Sequence, residues 1–457
     1  MKKIFNYILA SGLALSAVSC NFTDLEPTDK IGANEIFSSV STLEQTIYGA
    51  YSQLSLRTTV GVSAILSDDV IKGGQNGGAG DDSFQWTYTE NSGDHANLWP
   101  KFYSNIHTCN TIIVGAEGIQ PADAAEEKLK NNCLGVVYFM RAYSHFELLR
   151  FFADFDKKES YGIPYSKQPI LLEQLGRNSV AECFESLQED LEKAESLLTD
   201  DAPVHTEYVS KTAARALLSR VMLYARNYDK AYQLASQVLA KKPIATMEEF
   251  PTIWNAQANP DVIFKLKKLP GEEKLGDTFF WNDNSSLFEA SVEIQNDFAD
   301  NDIRKSCFFA KGPDRDKVIV DRVIKYQGLK ENIGLVDQIM LRSSEMLLIM
   351  AECKAQKGDL ATANKHLNQL RAERIENWET TNYDSKDELL KEILLERRRE
   401  LCYEGHRFFD MRRFNLPIRK PIINKTLEVN DFHRLMPIPL SEMQGNHVIE
   451  KQQNPGY

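Results

Sequence analysis

The sequence predicts a mainly α protein, a helical-repeat superhelix that carries long loop excursions and a few short strands. Three observations predict it. Apolar residues recur every three or four positions over several long segments, two of those segments match each other, and Pro- and Gly-rich texture interrupts the pattern in two places. With 457 residues and a hydrophobic share of 42%, the chain has enough apolar content for a large core, which excludes general disorder. The 53 basic against 65 acidic side chains give a formal charge of −12, with no extended Lys/Arg run. Nothing there attracts the phosphates of nucleic acid, so no nucleic-acid partner is expected.

The N-terminus sets the compartment. Lys2 and Lys3 precede an apolar stretch from Ile4 to Val18 that is too short to span a bilayer, so residues 1–19 read as a signal peptide. Leu15-Ser16-Ala17-Val18-Ser19-Cys20 resembles a bacterial lipobox, with Cys20 as the lipid-modified first mature residue; Ala17 stands where Leu is usual. An ordinary signal peptide followed by a chance cysteine is the alternative. Residues 20–34 are polar, contain Pro27 and show no period, which is the composition of a lipidated tether. Cys109, Cys133, Cys183, Cys307, Cys353 and Cys402 are scattered without Cys-x-x-Cys spacing and read as buried free thiols, one bridge remaining open to an exported protein.

From residue 35 to 457 the pattern reads as one domain. Leu43, Ile47, Ala50, Tyr51 and Leu54 mark a first helix, with Ser41 or Thr42 placed to cap the turn containing Glu44. A second runs from about Ala96 to Val114, with Leu98, Phe102, Ile106, Cys109 and Ile113 on one face. A third, Glu126 to Phe151, carries Leu129, Cys133, Val136, Met140, Tyr143 and Leu148 inward, and a helix from Val180 to Leu198 is expected to pack against it.

Ala213–Leu239 and Ser344–Leu370 then repeat one design, a helix, a tight turn at Asn227 or Gly358, and a second helix. At an offset of about 132 residues, Leu218 falls on Met350, Ser219 on Ala351, Ala235 on Leu367 and Val238 on Leu370. Large residues at the crossing and small ones at close approach suit a packed antiparallel pair. Pro243 falls where a tetratricopeptide unit closes, so the frame is tetratricopeptide-like, with degenerate units separated by insertions.

Two insertions stand out, at about 56–90 and 250–328. The second is broken by Pro251, Pro260, Pro270, Gly271, Gly276 and Pro313 and holds two β-like runs, Asp261–Lys267 and Lys317–Tyr326. Both read as loops and small strands carried on the helices.

The C-terminus is the most specific part. Glu396, Arg397, Glu400, Leu401, Glu404, Gly405, Arg407, Asp410 and Arg413 form one string, followed by Pro437-Ile438-Pro439, Glu442, Asn446 and a terminal Gln453-Asn454-Pro455-Gly456-Tyr457. Trp99 with Tyr103, Ile106 and Asn110, Arg141-Ala142-Tyr143 with Phe146, Asp261-Val262-Ile263-Phe264, and Arg342 with Glu345 and Glu352 accompany it. Together they resemble the SusD/RagB family of outer-membrane nutrient-binding lipoproteins over the whole chain. The resemblance implies a SusD-like fold, a lipid anchor at the extracellular face of the outer membrane, and docking on a SusC-like TonB-dependent transporter. The ligand it implies is an oligosaccharide or, as in some relatives, a peptide; it implies no cofactor and no catalytic residue. On its own chemistry the C-terminal string is a scaffold: Glu396, Glu400 and Glu404 lie one turn apart beside arginines, which ties the last helices to their neighbours.

No catalytic constellation is legible. There is no His-Glu-x-x-His pair and no Gly-x-Ser-x-Gly elbow, and the glycines at 73, 74, 77, 78 and 80 lack a P-loop ending, so they read as a flexible loop. Asp68, Asp69, Asp81 and Asp82 read as solvated loop acids, with a surface glycosidase or, together with Asn76, a calcium site as lesser readings.

Binding chemistry is easier to find, because a sugar offers apolar C–H faces to aromatic rings and hydroxyls to planar polar groups. One cluster is Asp81, Asp82, Phe84, Gln85, Trp86, Tyr88 and Asn91; the other is Phe279, Phe280, Trp281, Asn282, Asp283 and Asn284. The candidate ligand-binding residues are Trp86, Tyr88, Asn91, Trp281, Asn282 and Asp283. For Trp86 and Trp281 a platform and a packing role stand equally open; Phe279 and Phe280 read as packing, and Trp99 as core.

Overall fold

The computed structural model describes residues 36–169, 174–200, 206–281, 283, 285–314 and 316–457. The signal peptide, Cys20 and the tether lie outside them, as does Asn282.

The frame is a succession of antiparallel helices: α1 (Val40–Gln53), α2 (Arg57–Leu66), α3 (Leu98–Ala116), α4 (Ala124–Phe152), α5 (Val180–Leu197), α6 (Lys211–Tyr224), α7 (Tyr228–Lys241), α8 (Ser343–Gln356), α9 (Leu360–Ala372), α10 (Lys386–Glu400) and α11 (Arg407–Arg413). Their starts follow from local chemistry. Asp123 accepts from the Ala125 and Glu126 amides at the head of α4, where Glu126 and Glu127 also face the positive end of the helix dipole. Ser179 and Glu182 form a reciprocal capping box at α5, and Ser210, Asn227 and Asp359 cap α6, α7 and α9. The first helix starts earlier than the sequence suggests: Ser39, not Ser41 or Thr42, is the cap, and Thr42 completes the box from inside the helix.

Helix α4 is buried on every side from Phe139 to Phe152, which makes it the centre of the N-terminal half of the frame. α3 and α5 lie against it, as expected for α5. Gly135 lets α5 come close, since a side chain there would sit 2.6 Å from Leu198 Cγ. The two matching segments are the pairs α6/α7 and α8/α9, stacked through α7 and α8. Ser219, a small residue at the crossing, donates to the Ala231 carbonyl at 2.8 Å, and Gly358 makes the second turn with a φ of 83°.

Among the described residues, three small antiparallel sheets complete the fold. β1 (Val70–Lys72), β3 (Phe288–Ala290), β5 (Ile319–Val323) and β4 (Phe309–Pro313) form one in that spatial order; β2 (Val262–Leu266) pairs with β6 (Gln338–Arg342), and β7 (Ile418–Lys420) with β8 (Lys425–Leu427). β2 and β5 fall within the two β-like runs of the sequence. The first insertion is less loop-like than its sequence suggests. Every residue of α2 from Thr59 to Leu66 is buried, so apolar and small residues surround the helix and leave no amphipathic period to read.

The charged C-terminal string is the scaffold its spacing implies. Glu400, fully buried, meets Arg342, Arg304 and Arg374 at 2.9, 3.0 and 3.0 Å. Glu396 meets Arg304 and Arg371 at 2.7 and 2.8 Å, Arg397 meets Asp410 at 2.9 Å, and Arg413 joins Glu352 at 2.5 Å. Burial alone would raise the Glu396 carboxyl, but the guanidinium groups of Arg304, Arg371 and Arg399 outweigh it and hold it at about 2.

The same string reaches the first insertion. Asp68 pairs with Arg407 at 2.8 Å and Asp69 with Arg398 at 2.8 Å, and Asp69 is only 1% exposed. The reading of these two as solvated loop acids is therefore corrected: arginines distant in sequence supply the charge that makes their burial tolerable.

Candidate ligand-binding face

The two insertions meet through the four-stranded sheet. Val70, Ile71 and Lys72 of β1 face Ala290, Glu289 and Phe288 of β3. Just beyond β1, the Gly73 amide donates to the Leu287 carbonyl at 2.9 Å, and the Asn76 side chain donates to Leu287 and Ala79 carbonyls at 3.1 Å each. The approach is tight: a Cβ on Gly73 would lie 2.4 Å from the Ser286 carbonyl oxygen. The glycine loop is thus bonded onto the second insertion rather than hanging free.

That contact sets Trp281. Its backbone amide donates to Ser285 at 2.9 Å, and Asp283 closes the turn by accepting from the Ser285 amide and hydroxyl at 3.0 and 2.6 Å. The indole N–H donates to the Gln75 carbonyl at 3.1 Å, while the ring remains 48% exposed. Gln75 in turn donates to Asp316 at 2.6 Å, and Asp314 accepts from the Val318 amide at 2.9 Å across the turn between β4 and β5. The loops around residues 75 and 316 are therefore linked to one half-exposed indole, Gln75 by its carbonyl and Asp316 through the Gln75 side chain, while Asp283 shapes the turn that carries it. Below them Glu289 is held above the ordinary carboxylate range by burial, with Asp314 and Asp321 adding to the effect.

Of the six candidates, Trp281 and Asp283 lie together on this face, both exposed. Asn91 is exposed on the segment after Tyr88. Trp86 and Tyr88 are corrected. Trp86 is 5% exposed, its indole N–H donates to the Leu66 carbonyl at 3.0 Å, and its ring lies under the Lys420 ammonium. Tyr88 is 1% exposed, its hydroxyl donates to the His433 carbonyl, and its ring stacks on Tyr457. Neither ring has a face left for a ligand. Phe279 packs against Tyr326 and Tyr403, and Trp99 against Tyr103 and Phe152, as read from sequence.

The remaining acids of the first cluster are engaged: Asp81 with Lys72, and Asp82 with the Ser92 hydroxyl at 2.9 Å. Among the described residues no group of three or more His, Cys, Asp and Glu side chains converges as a metal would require. Sequence reasoning missed Gln75, Asp314 and Asp316. Gln75 sits inside the glycine run, and the two aspartates become part of the face only through the β4–β5 turn. A second aromatic hollow, about 290 Å³ between half-exposed Tyr48 and Tyr208, was also not legible.

Comparison with known proteins gives the same picture at both ends. Residues 318–457 match the model of the SusD family, and residues 21–223 match a model described as starch-binding associating with outer membrane. SusD-like protein P2 of Formosa agariphila is 23% identical over 514 aligned positions, covering 97% of this chain and 98% of the relative. SusD-like protein P25 of the same organism is 21% identical, covering 98% of each. A SusD superfamily structure from Bacteroides thetaiotaomicron superposes with a TM-score of 0.80 at 24% identity, over 91% of this chain and all of that one. Another from Bacteroides vulgatus gives 0.81 at 23% identity, over 92% and 99%. With the charged C-terminal string, the tetratricopeptide-like frame and both terminal segments in agreement, the chain belongs to the SusD/RagB family.

Proposed function

We propose that this protein is a non-catalytic, cell-surface glycan-binding lipoprotein that captures an oligosaccharide and delivers it to a SusC-like TonB-dependent outer-membrane transporter. Trp281 carries the reading. Its half-exposed indole is fixed by its own N–H to Gln75, so it can offer a rigid apolar face to a sugar ring, and Asp283, Asp316 and the Gln75 amide supply planar partners for hydroxyls. Anchoring at Cys20 would keep the face outside the cell, and no described helix is long and apolar enough to cross a membrane.

The test is a glycan and peptide binding screen with purified protein, followed by Trp281→Ala. An oligosaccharide should be retained, and the variant should bind it roughly tenfold more weakly, the scale of one aromatic platform. Peptide capture with no glycan retained would replace the oligosaccharide by a peptide, and release of sugar products by the purified protein would overturn the non-catalytic reading. The partner is tested separately, by detergent extraction of the tagged protein: recovery without a TonB-dependent barrel would sink the delivery step.

A further inference from the structure

Another hollow, of about 650 Å³, lies between the end of α4, the α6–α7 turn, the end of α11 and the segment 429–435. It contains Lys157, Arg226, Arg412 and Arg434 together with Asp154, Asp156 and Asp431. The acids are taken: Asp154 pairs with Lys157 at 2.9 Å, Asp156 with Arg226 at 2.7 Å, and Asp431 holds the His433 ring and amide at 2.8 and 2.9 Å. Arg412 and Arg434 have no carboxylate within ion-pair distance among the described residues, although they are only 6% and 7% exposed.

This is unusual within this protein. Its other buried arginines form ion pairs, with the exception of Arg177, which is satisfied by five oxygens: the carbonyls of Gly162, Gln452, Phe152 and Tyr161 and the Asn454 side chain. Arg412 donates to two carbonyls at the end of α4, Arg150 at 2.5 Å and Ala153 at 2.7 Å. Arg434 donates to Leu416 at 2.8 Å and Met411 at 3.2 Å. Those bonds close helix ends and leave the other N–H groups of each planar fork over, since a guanidinium carries five donors. Both side chains line the hollow. Burial holds Arg412 at about 10 and lowers Arg434 as well, the mark of cations that have lost water without gaining a full counter-charge. Phe432, 40% exposed, adds an apolar face, and Asn415 and Asn430 add amides.

We propose that this hollow is a second ligand site, separate from the Trp281 face, which takes the oxyanion of an acidic sugar, a uronate carboxylate or a sulfate ester, on Arg412 and Arg434. A carboxylate or sulfate matches the planar donor fork and supplies the missing charge, while Phe432 and the amides suit the ring that carries it. The sugar class rests on the glycan-binding reading above; the anion site does not.

The experiment is a ligand titration of the whole protein with glucuronic acid, its methyl ester, glucose 6-sulfate, glucose and inorganic sulfate. Glucuronic acid, glucose 6-sulfate or both should bind at least roughly tenfold more tightly than the ester and glucose, the scale of a charge-assisted hydrogen bond, and a preference for one identifies the oxyanion. Arg434→Gln should remove that preference, and Trp281→Ala should leave it intact. The ester comparison needs no variant, so a misfolded R434Q protein would not mask the answer. Acidic and neutral sugars binding alike, or none of them binding, overturns the acidic-sugar site alone, since the oligosaccharide reading is decided by the glycan screen. Inorganic sulfate binding as tightly as the acidic sugars overturns the sugar site.

Discussion

The Lys420 ammonium lies 4.4 Å from the centre of the Trp86 ring and 4.3 Å from that of Phe84, and donates to the Ile65 and Phe84 carbonyls at 2.5 and 2.8 Å. With no carboxylate within ion-pair distance among the described residues, this buried lysine uses two π faces and two backbone carbonyls, and burial pushes its pKa well below the ordinary lysine value. Trp86 belongs to that arrangement and not to a ligand. Trp86→Ala should therefore cost about 3–5 kcal/mol in denaturant unfolding, the range for a buried aromatic cut to Ala. Glycan affinity of the folded fraction should remain unchanged; a loss of affinity without a loss of stability would contradict this.

Glu400 lies among Arg342, Arg304 and Arg374, and the burial of these three cations is tolerable only while its charge is present. Glu400→Gln should destabilise the protein by about 3–5 kcal/mol, because three buried guanidinium groups lose their shared counter-charge. Substitution of an exposed pair such as Lys157–Asp154 should change the same unfolding curve by under about 1 kcal/mol.

Acid should unfold the molecule through this layer. Glu396 is held at about 2 against an ordinary 4.5, and Glu400, Glu404 and Asp410 are displaced in the same direction by their arginine or lysine partners. A carboxyl lowered by folding contributes stability that is full above its unfolded value and is lost as pH falls toward its folded one. For Glu396 that is about 3 kcal/mol between roughly pH 4.5 and 2. Asp69, raised by burial, works in the opposite sense. Buried His145 and His406, both held well below the ordinary 6.5 by burial, act in the same direction as Glu396 from a higher pH, because only the unfolded chain takes up their protons. Unfolding free energy measured against pH should therefore begin to fall below about 6.5 and fall more steeply below about 4.5; a curve level to pH 2 would refute the assignment.

Two glycines should respond oppositely. Gly73→Ala places a methyl 2.4 Å from the Ser286 carbonyl oxygen, so the first insertion must move off the second and the Gln75–Trp281 bond with it. It should lower both stability and glycan affinity, read by melting temperature and by titration. Gly49→Ala, in α1 with nothing within 4 Å of the new carbon, should instead stabilise by roughly 0.5–1 kcal/mol through helix propensity.

Much of the frame is legible in the chain itself. The three- and four-residue spacing of Leu98, Phe102 and Ile106, or of Ala231, Ala235 and Val238, locates helices to within a few residues, because one-sided burial writes a period into the sequence. Helix α2, buried on all sides from Thr59 to Leu66, has no such period, and its sequence reads as loop. The C-terminal string of alternating charge could be read as a scaffold, but its partners at Asp68, Asp69, Arg304 and Arg342 could not, since they lie far away in the chain.

The ligand face divides in the same way. By itself the sequence determined the helical class, the repeated pair, the family resemblance and the aromatic–polar make-up of two loop clusters. Only the tertiary structure decided that Trp86 and Tyr88 are packing while Trp281 is presented, and that Gln75 and Asp316 stand beside it. The reason is physical: a tryptophan is equally suited to a core and to a sugar, and which role it takes depends on what else is folded onto its faces.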